Sequence, residues 1–224
     1  MTLHSPSSNP EFKAVITQLV EQFRPRGIIE TGTNDGRGST SVFAEFGIPM
    51  WTAEICPSLA VDAREHMKKK NWEHVQLLEG MTLNKERSEH ALNWTLEQEY
   101  PDFVKIDGAQ RACGSRGFYE RELCLGAEHE ENLLGKMFIM VGDNALVFLD
   151  SCGGIGIGEF LETIWMGTFP MTLVLDDCDH VKHYHSVKLL AQHGVRVHQF
   201  VGYRCAWARM EERPDIDHEL KEVW

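Results

Sequence analysis

Acidic residues recur where short β-rich runs end. Glu30 follows Ile28-Ile29, Glu54 closes the run from Met50, Asp150 follows Ala145–Leu149, and Asp176-Asp177 follow Met171–Leu175. After Glu30 the chain reads Thr31-Gly32-Thr33-Asn34-Asp35-Gly36-Arg37-Gly38-Ser39-Thr40. Glycines in such a turn admit positive φ and let a ligand approach the backbone, and the free amides of a following helix favour an anionic group. A carboxylate at the next strand end, Glu54, suits two hydroxyl donors. Asp150, Asp176 and Asp177 would end adjacent strands, which lie about 4.8 Å apart, and would converge. No basic partner is evident beside them, so a cation or a proton is expected to relieve their repulsion. Hard oxygen ligands suit Mg²⁺. His180, just beyond the aspartate pair, is a candidate general base, with His183 expected one turn along the same helix.

These residues need elements to position them, and the chain alternates β-rich runs with helical periodicity. Asn9-Pro10 is a cap and first-turn proline, and Phe12, Val15, Ile16, Leu19, Val20 and Phe23 follow at helical spacing, predicting a helix over residues 10–24. Strands are expected at 28–30, 50–55, 74–78, 145–149, 171–175, 195–201 and 204–210. Helices are expected at 39–46, from Pro57 to Lys70, and at 83–97, 159–165 and 181–193. Strand–helix alternation argues for an α/β, doubly wound, mostly parallel sheet whose ligands bind at the carboxyl ends of its strands.

Residues 101–143 break the rhythm and are expected to form an insertion or cap. Asp102–Asp107 is a candidate strand there, Gly108–Gly117 is turn-rich, and Arg111, Arg116, Phe118, Tyr119 and Arg121 are candidate acceptor contacts or solvated side chains. Gly153-Gly154-Ile155-Gly156-Ile157-Gly158 is expected to be a small lid or a tight connection at the ligand edge. The charged tail 211–224 is expected to be partly disordered, and Trp207 to be a core residue.

Composition bounds the function. Lys plus Arg number 22 against 34 Asp plus Glu, a formal charge of −12, which disfavours nucleic acid and anionic membrane surfaces. The longest apolar runs fall far short of a membrane span, and the first residues lack the pattern of a signal peptide. The six cysteines, at 56, 113, 124, 152, 178 and 205, contain no Cys-x-x-Cys, pointing to free thiols in a reducing compartment. A cytoplasmic protein with one domain over 1–224 is expected, and a homodimer stays compatible with the sequence.

The glycine-rich turn with Glu54 one strand later resembles the first motifs of the class I S-adenosylmethionine-dependent methyltransferases. That resemblance implies a Rossmann-like, seven-stranded sheet with an antiparallel last strand. It also implies a cofactor, S-adenosyl-L-methionine, held by Glu30, Gly32, Thr33, Asn34, Gly36, Ser39, Thr40, Glu54, Ile55, Gly80 and Met81. Gly32–Gly36 would wrap its methionine portion, Glu54 would take the ribose hydroxyls, and Gly80 and Met81 would lie at the adenine. The far aspartates resemble those of the metal-dependent catechol and macrocin O-methyltransferase types. This implies Mg²⁺ on Asp150, Asp176 and Asp177, with Asp150 catalytic toward a hydroxyl of a small-molecule acceptor beside the candidate base His180. After Asp150 the chain departs from the catechol type, reading Ser151-Cys152-Gly153-Gly154-Ile155-Gly156 without its lysine base. Asn34 stands where the dinucleotide pattern Gly-x-Gly-x-x-Gly has its middle glycine, leaving an NAD-dependent oxidoreductase as a rival reading. A methyltransferase-like scaffold that binds a ligand without turnover is another.

Overall fold

Neighbouring residues of each central strand feed opposite hydrophobic layers, because strand side chains alternate between faces. Ile28, Leu146, Phe148 and Val174 pack on one side, while Ile29, Val147, Leu149, Leu173 and Leu175 pack on the other. Burial on both faces is what a parallel sheet between helical layers demands. The computed structural model describes residues 6–107, 114–124, 130–151 and 153–224. Arg111, Cys113 and Cys152 lie outside them.

The strands are β1 Gly27–Thr31, β2 Met50–Glu54, β3 Val75–Glu79, β4 Ala145–Leu149, β5 Met171–Leu175, β6 Val197–Gln199 and β7 Ala206–Met210. They form one sheet in the order β3-β2-β1-β4-β5-β7-β6. β1 to β5 pair in parallel, and β7 runs antiparallel to both β5 and β6. The order reverses between β1 and β4, and in open α/β sheets such a switch point opens a crevice for ligand.

The amino-terminal helices are α1 Pro10–Phe23, α2 Ser39–Ala44, α3 Pro57–Lys70 and α4 Lys85–Glu97. The Asn9 side chain accepts from the amides of Glu11 and Phe12 at 2.9 and 3.0 Å, capping α1. Phe12, Ile16 and Leu19 then bury that helix behind the sheet together with Val42 and Phe43 of α2. α5 Gly114–Cys124, α6 Leu133–Val141, α7 Gly156–Met166, α8 Tyr184–Gln192 and α9 Asp217–Val223 complete the helices among the described residues.

Several expectations are corrected. Asp102–Asp107 forms no strand; Lys105 makes only an isolated bridge to His180. Within 101–143, α6 is no insertion: Leu133, Leu134, Met137 and Phe138 are core residues leading into β4. Its run Leu-Leu-Gly-Lys-Met-Phe-Ile-Met-Val is apolar nearly all round, so it shows no amphipathic period to read. The tail is ordered at its end, because Ile216, Leu220 and Val223, spaced on one helical face, join the core. The helix expected from Val181 starts only at Tyr184, with His180–His183 in the preceding turn. Gly153–Gly158 is no lid: it is a buried 3₁₀ turn running into α7. A Cβ at Gly153 would stand 2.6 Å from His180 Cε1, and one at Gly156 2.4 Å from the Lys182 carbonyl oxygen. Trp207 is half-buried and stacks on His198, ring centroids 4.2 Å apart.

Candidate active site

The turn after β1 is locked to β2. The Gly32 and Thr33 amides both donate to the Ala53 carbonyl at 3.0 Å, and Asn34, at φ 55°, turns its N–H onto Glu54 Oε2 at 2.6 Å. The Cys56 amide donates to Glu54 Oε1 at 2.8 Å. Burial raises Glu54 above the usual carboxylate range, and these amides oppose the rise. Each carboxylate oxygen keeps acceptor capacity for a ligand.

Glu30 serves the turn from behind. It is fully buried and takes hydrogen bonds on Oε2 from Thr40 Oγ1 at 2.6 Å and Thr52 Oγ1 at 2.7 Å. Burial pushes it up to about 7. Thr33 shares a 2.6 Å hydrogen bond with Thr52. Ser39 and Thr40 are buried at the start of α2, and Gly36, at φ 75°, packs against Ala63. These five residues shape the loop and do not line the cavity it bounds.

That cavity, of about 490 Å³, is lined by Gly32, Asn34, Glu54, Ile55, Gly80 and Met81 at one end. Asp150, Asp177, His180 and Lys182 line it at the other. Gly80, at φ 146°, is needed because a Cβ there would stand 2.2 Å from the Glu130 carbonyl oxygen. Below the cavity lies Glu159, which the sequence reading passed over. It is fully buried and accepts from Thr31 at 3.1 Å and Thr82 at 2.5 Å, tying the ends of β1 and β3 to α7.

The structure brings Asp150, Asp176 and Asp177 together, with one oxygen of each within 4.8 Å of the others. It also overturns the expectation that no basic group joins them. Lys182, itself buried, places Nζ 2.6 Å from Asp150 Oδ1, 3.2 Å from Asp177 Oδ2 and 3.9 Å from Asp176 Oδ2. Arg204 Nη2 adds a 2.6 Å contact to Asp177 Oδ1. Asp177 turns toward both cations through a left-handed backbone, φ 52°. Burial disfavours the ammonium, yet the Asp150, Asp177 and Asp176 carboxylates together raise Lys182 well above its ordinary range. Burial and the neighbouring Asp176 carboxylate raise Asp150 well above its own. Burial works against ionised Asp176 as well, but Lys182, Asp150 and the Cys205 thiol hold it low. A signal for Lys182 existed in the sequence: it follows the Asp176–His180 stretch by only a few residues.

His180 Nδ1 accepts the Lys182 backbone N–H at 3.1 Å, and Nε2 lies 3.2 Å from Asp107 Oδ2. With its Nδ1 lone pair engaged, neutral His180 presents an N–H rather than a base. His183 is fully buried, its ring 3.2 Å from the Leu149 carbonyl and 3.3 Å from Ser186 Oγ. Burial drives it down to about 3, so it is a neutral strut. Of the candidate acceptor contacts, Tyr119 is a fully buried core residue whose hydroxyl accepts the Asp107 N–H at 3.1 Å. Arg116 is exposed and bonds Asn93.

No protein-family model matches the chain, and no curated protein matches its sequence. Solved structures do match. A Staphylococcus aureus protein proposed to be a caffeoyl-CoA O-methyltransferase is 14% identical, with 92% of this chain and 86% of that one covered and a TM-score of 0.54. An O-methyltransferase from Bacillus cereus in complex with S-adenosylhomocysteine is 15% identical over 90% and 82%, with a TM-score of 0.53. A precorrin-6y C5,15-methyltransferase from Geobacter metallireducens is 13% identical over 91% and 90%, at 0.50. The likeness is one of fold: the chain has the Rossmann-like class I methyltransferase architecture expected from its sequence. Among the described residues no helix is long and apolar enough to cross a membrane.

Proposed function

We propose that the protein transfers the methyl group of S-adenosyl-L-methionine to a hydroxyl of a small molecule. The observation that carries this reading is the single cavity joining Glu54 and the Gly32–Asn34 turn to Asp150 and Lys182. Its volume of about 490 Å³ falls in the range of small-ligand pockets.

The residues fit the methyl donor. Glu54 offers two fixed acceptor oxygens at a strand end, and Asn34, Ile55, Gly80 and Met81 surround it. When bound, the donor supplies an electrophilic methyl group on a sulfonium. The chain's own work is to orient the acceptor and take its proton. Asp150, raised by burial and partly open to the cavity, is the group suited to receive that proton in its ionised form. Lys182 keeps positive charge beside the acceptor oxygen. Asp150 would take up the hydroxyl proton as the acceptor oxygen is methylated. Positioning contributes most to such a displacement. Magnesium has no part here, because Lys182 fills the space among the aspartates.

Fold alone does not choose oxygen as the acceptor, since a carbon methyltransferase shares it. The resemblance to O-methyltransferases and the proton-accepting carboxylate support a hydroxyl. Calorimetric titration of the purified protein with S-adenosylhomocysteine tests the donor half: one site per chain at micromolar strength is expected. An absence of binding, or tighter binding of NAD(H), would overturn it. Transfer of labelled methyl to a panel of phenols and aliphatic alcohols then tests the acceptor. Binding without transfer to any of them would favour the non-catalytic scaffold.

A further inference from the structure

We propose that the Lys182 ammonium takes the place of a divalent cation among Asp150, Asp176 and Asp177, so that this chain carries its site's positive charge within its own sequence. Three observations lead there.

The first is position. Nζ lies 2.6 Å from Asp150 Oδ1 and 3.2 Å from Asp177 Oδ2. A magnesium ion bound by the same oxygens would stand about 2.1 Å from each, within contact distance of Nζ and facing its charge. The two cannot share the cluster.

The second is that two further carboxylate oxygens already have partners. Asp177 Oδ1 meets Arg204 Nη2 at 2.6 Å, and Asp176 Oδ1 accepts from Cys205 Sγ at 3.0 Å. An octahedral ion needing near-ideal oxygen geometry would find little left to bind.

The third is that Lys182 is held. Its amide is bonded to His180 Nδ1 at 3.1 Å. The start of α7 presses on its stem so closely that a Cβ at Gly156 would stand 2.5 Å from Lys182 Cγ and 2.4 Å from its carbonyl oxygen. The stem of this side chain is therefore fixed against the start of α7. The glycine run before α7, which the active-site chemistry did not otherwise use, is what lets this lysine enter.

A consequence for catalysis rests on the methyltransferase reading: methyl transfer would need no added metal. The cation question itself does not rest on it, so the two are tested apart. The full chain, stripped with EDTA, is titrated with Mn²⁺ and followed by calorimetry and by the electron paramagnetic resonance of free Mn²⁺. Wild type is expected to bind no Mn²⁺ stoichiometrically below millimolar concentration. Lys182→Ala, which uncovers the three carboxylates, is expected to bind one ion per chain at least tenfold more tightly, and Lys182→Ala with Asp177→Asn to lose that gain. Stoichiometric Mn²⁺ on wild type that Asp150→Asn removes would overturn the proposal. So would a folded Lys182→Ala that gains nothing. If Lys182→Ala fails to fold, the wild-type titration against Asp150→Asn still decides. Failure of the donor reading would show instead as absent S-adenosylhomocysteine binding, whatever Mn²⁺ does.

Discussion

The Asn34 amide donates to Glu54 Oε2 at 2.6 Å, so the glycine-rich turn after β1 and the acid that ends β2 form one unit. Glu54→Gln breaks that unit without changing its volume. A glutamine can satisfy only one of the Asn34 and Cys56 amides and sets its own N–H₂ against the other. It also loses the ionic acceptor that would face a diol. Hydrogen bonds to charged groups contribute about 1.5–3 kcal/mol, so affinity for S-adenosylhomocysteine is expected to fall roughly 10- to 100-fold by calorimetry. An unchanged affinity would remove Glu54 from the donor site.

Gly32 stands against the backbone that follows β4. At φ 78°, a Cβ there would lie 2.5 Å from the Asp150 carbonyl oxygen. Gly32→Ala combines left-handed strain with a backbone clash, together costing about 3 kcal/mol. For a chain of this size the melting temperature should drop by roughly 6–12 °C. A loss of less than about 1 kcal/mol would mean that the β1 and β4 loops are not in contact as described.

Much of this was legible in the sequence because the central strands carry unbroken apolar runs ending in an acid. Ile28 to Glu30, Ala145 to Asp150 and Met171 to Asp177 announce both their strands and the edge where ligands gather. The glycine turn and Glu54 were legible for the same reason, as local features with fixed spacing. What escaped reading depends on packing between distant segments. Nothing local says that the Lys182 stem passes beneath the start of α7, or that Glu159 turns under the cavity to meet Thr31 and Thr82. Nor does local sequence separate a cavity-lining group from its support: Glu30 and Glu54 lie at the ends of adjacent strands and are both buried, and only Glu54 lines the cavity. α6 was hidden by being apolar on every side, and α9 by the charges between its buried positions.

Glu30 makes stability depend on pH. Burial lifts it from 4.5 to about 7, so the folded state binds the proton more tightly than the unfolded chain does. Its stabilising contribution is complete below pH 4.5 and is lost as pH rises through 7. Glu30→Gln retains an oxygen for Thr40 and Thr52 and carries no charge to desolvate. Relative to wild type the variant should gain about 2–3 kcal/mol between pH 5 and pH 8, measured by urea unfolding at both. A pH-independent difference would show that Glu30 keeps an ordinary carboxylate.

His183 produces the opposite dependence. Burial holds it down to about 3 from 6.5, so the unfolded chain takes up a proton first as pH falls. Its contribution is complete above pH 6.5 and is lost progressively between 6.5 and 3. His183→Gln keeps a donor for the Leu149 carbonyl but has nothing to protonate. The substitution should cost about 1–2 kcal/mol at pH 7 through imperfect packing and hydrogen bonding. Between pH 7 and pH 5 the gap between wild type and variant should narrow by about 2 kcal/mol, since every other titrating group is common to both. Guanidinium unfolding at the two pH values reads this difference directly. A gap that stays constant would place His183 in solvent contact and detach it from the end of β4.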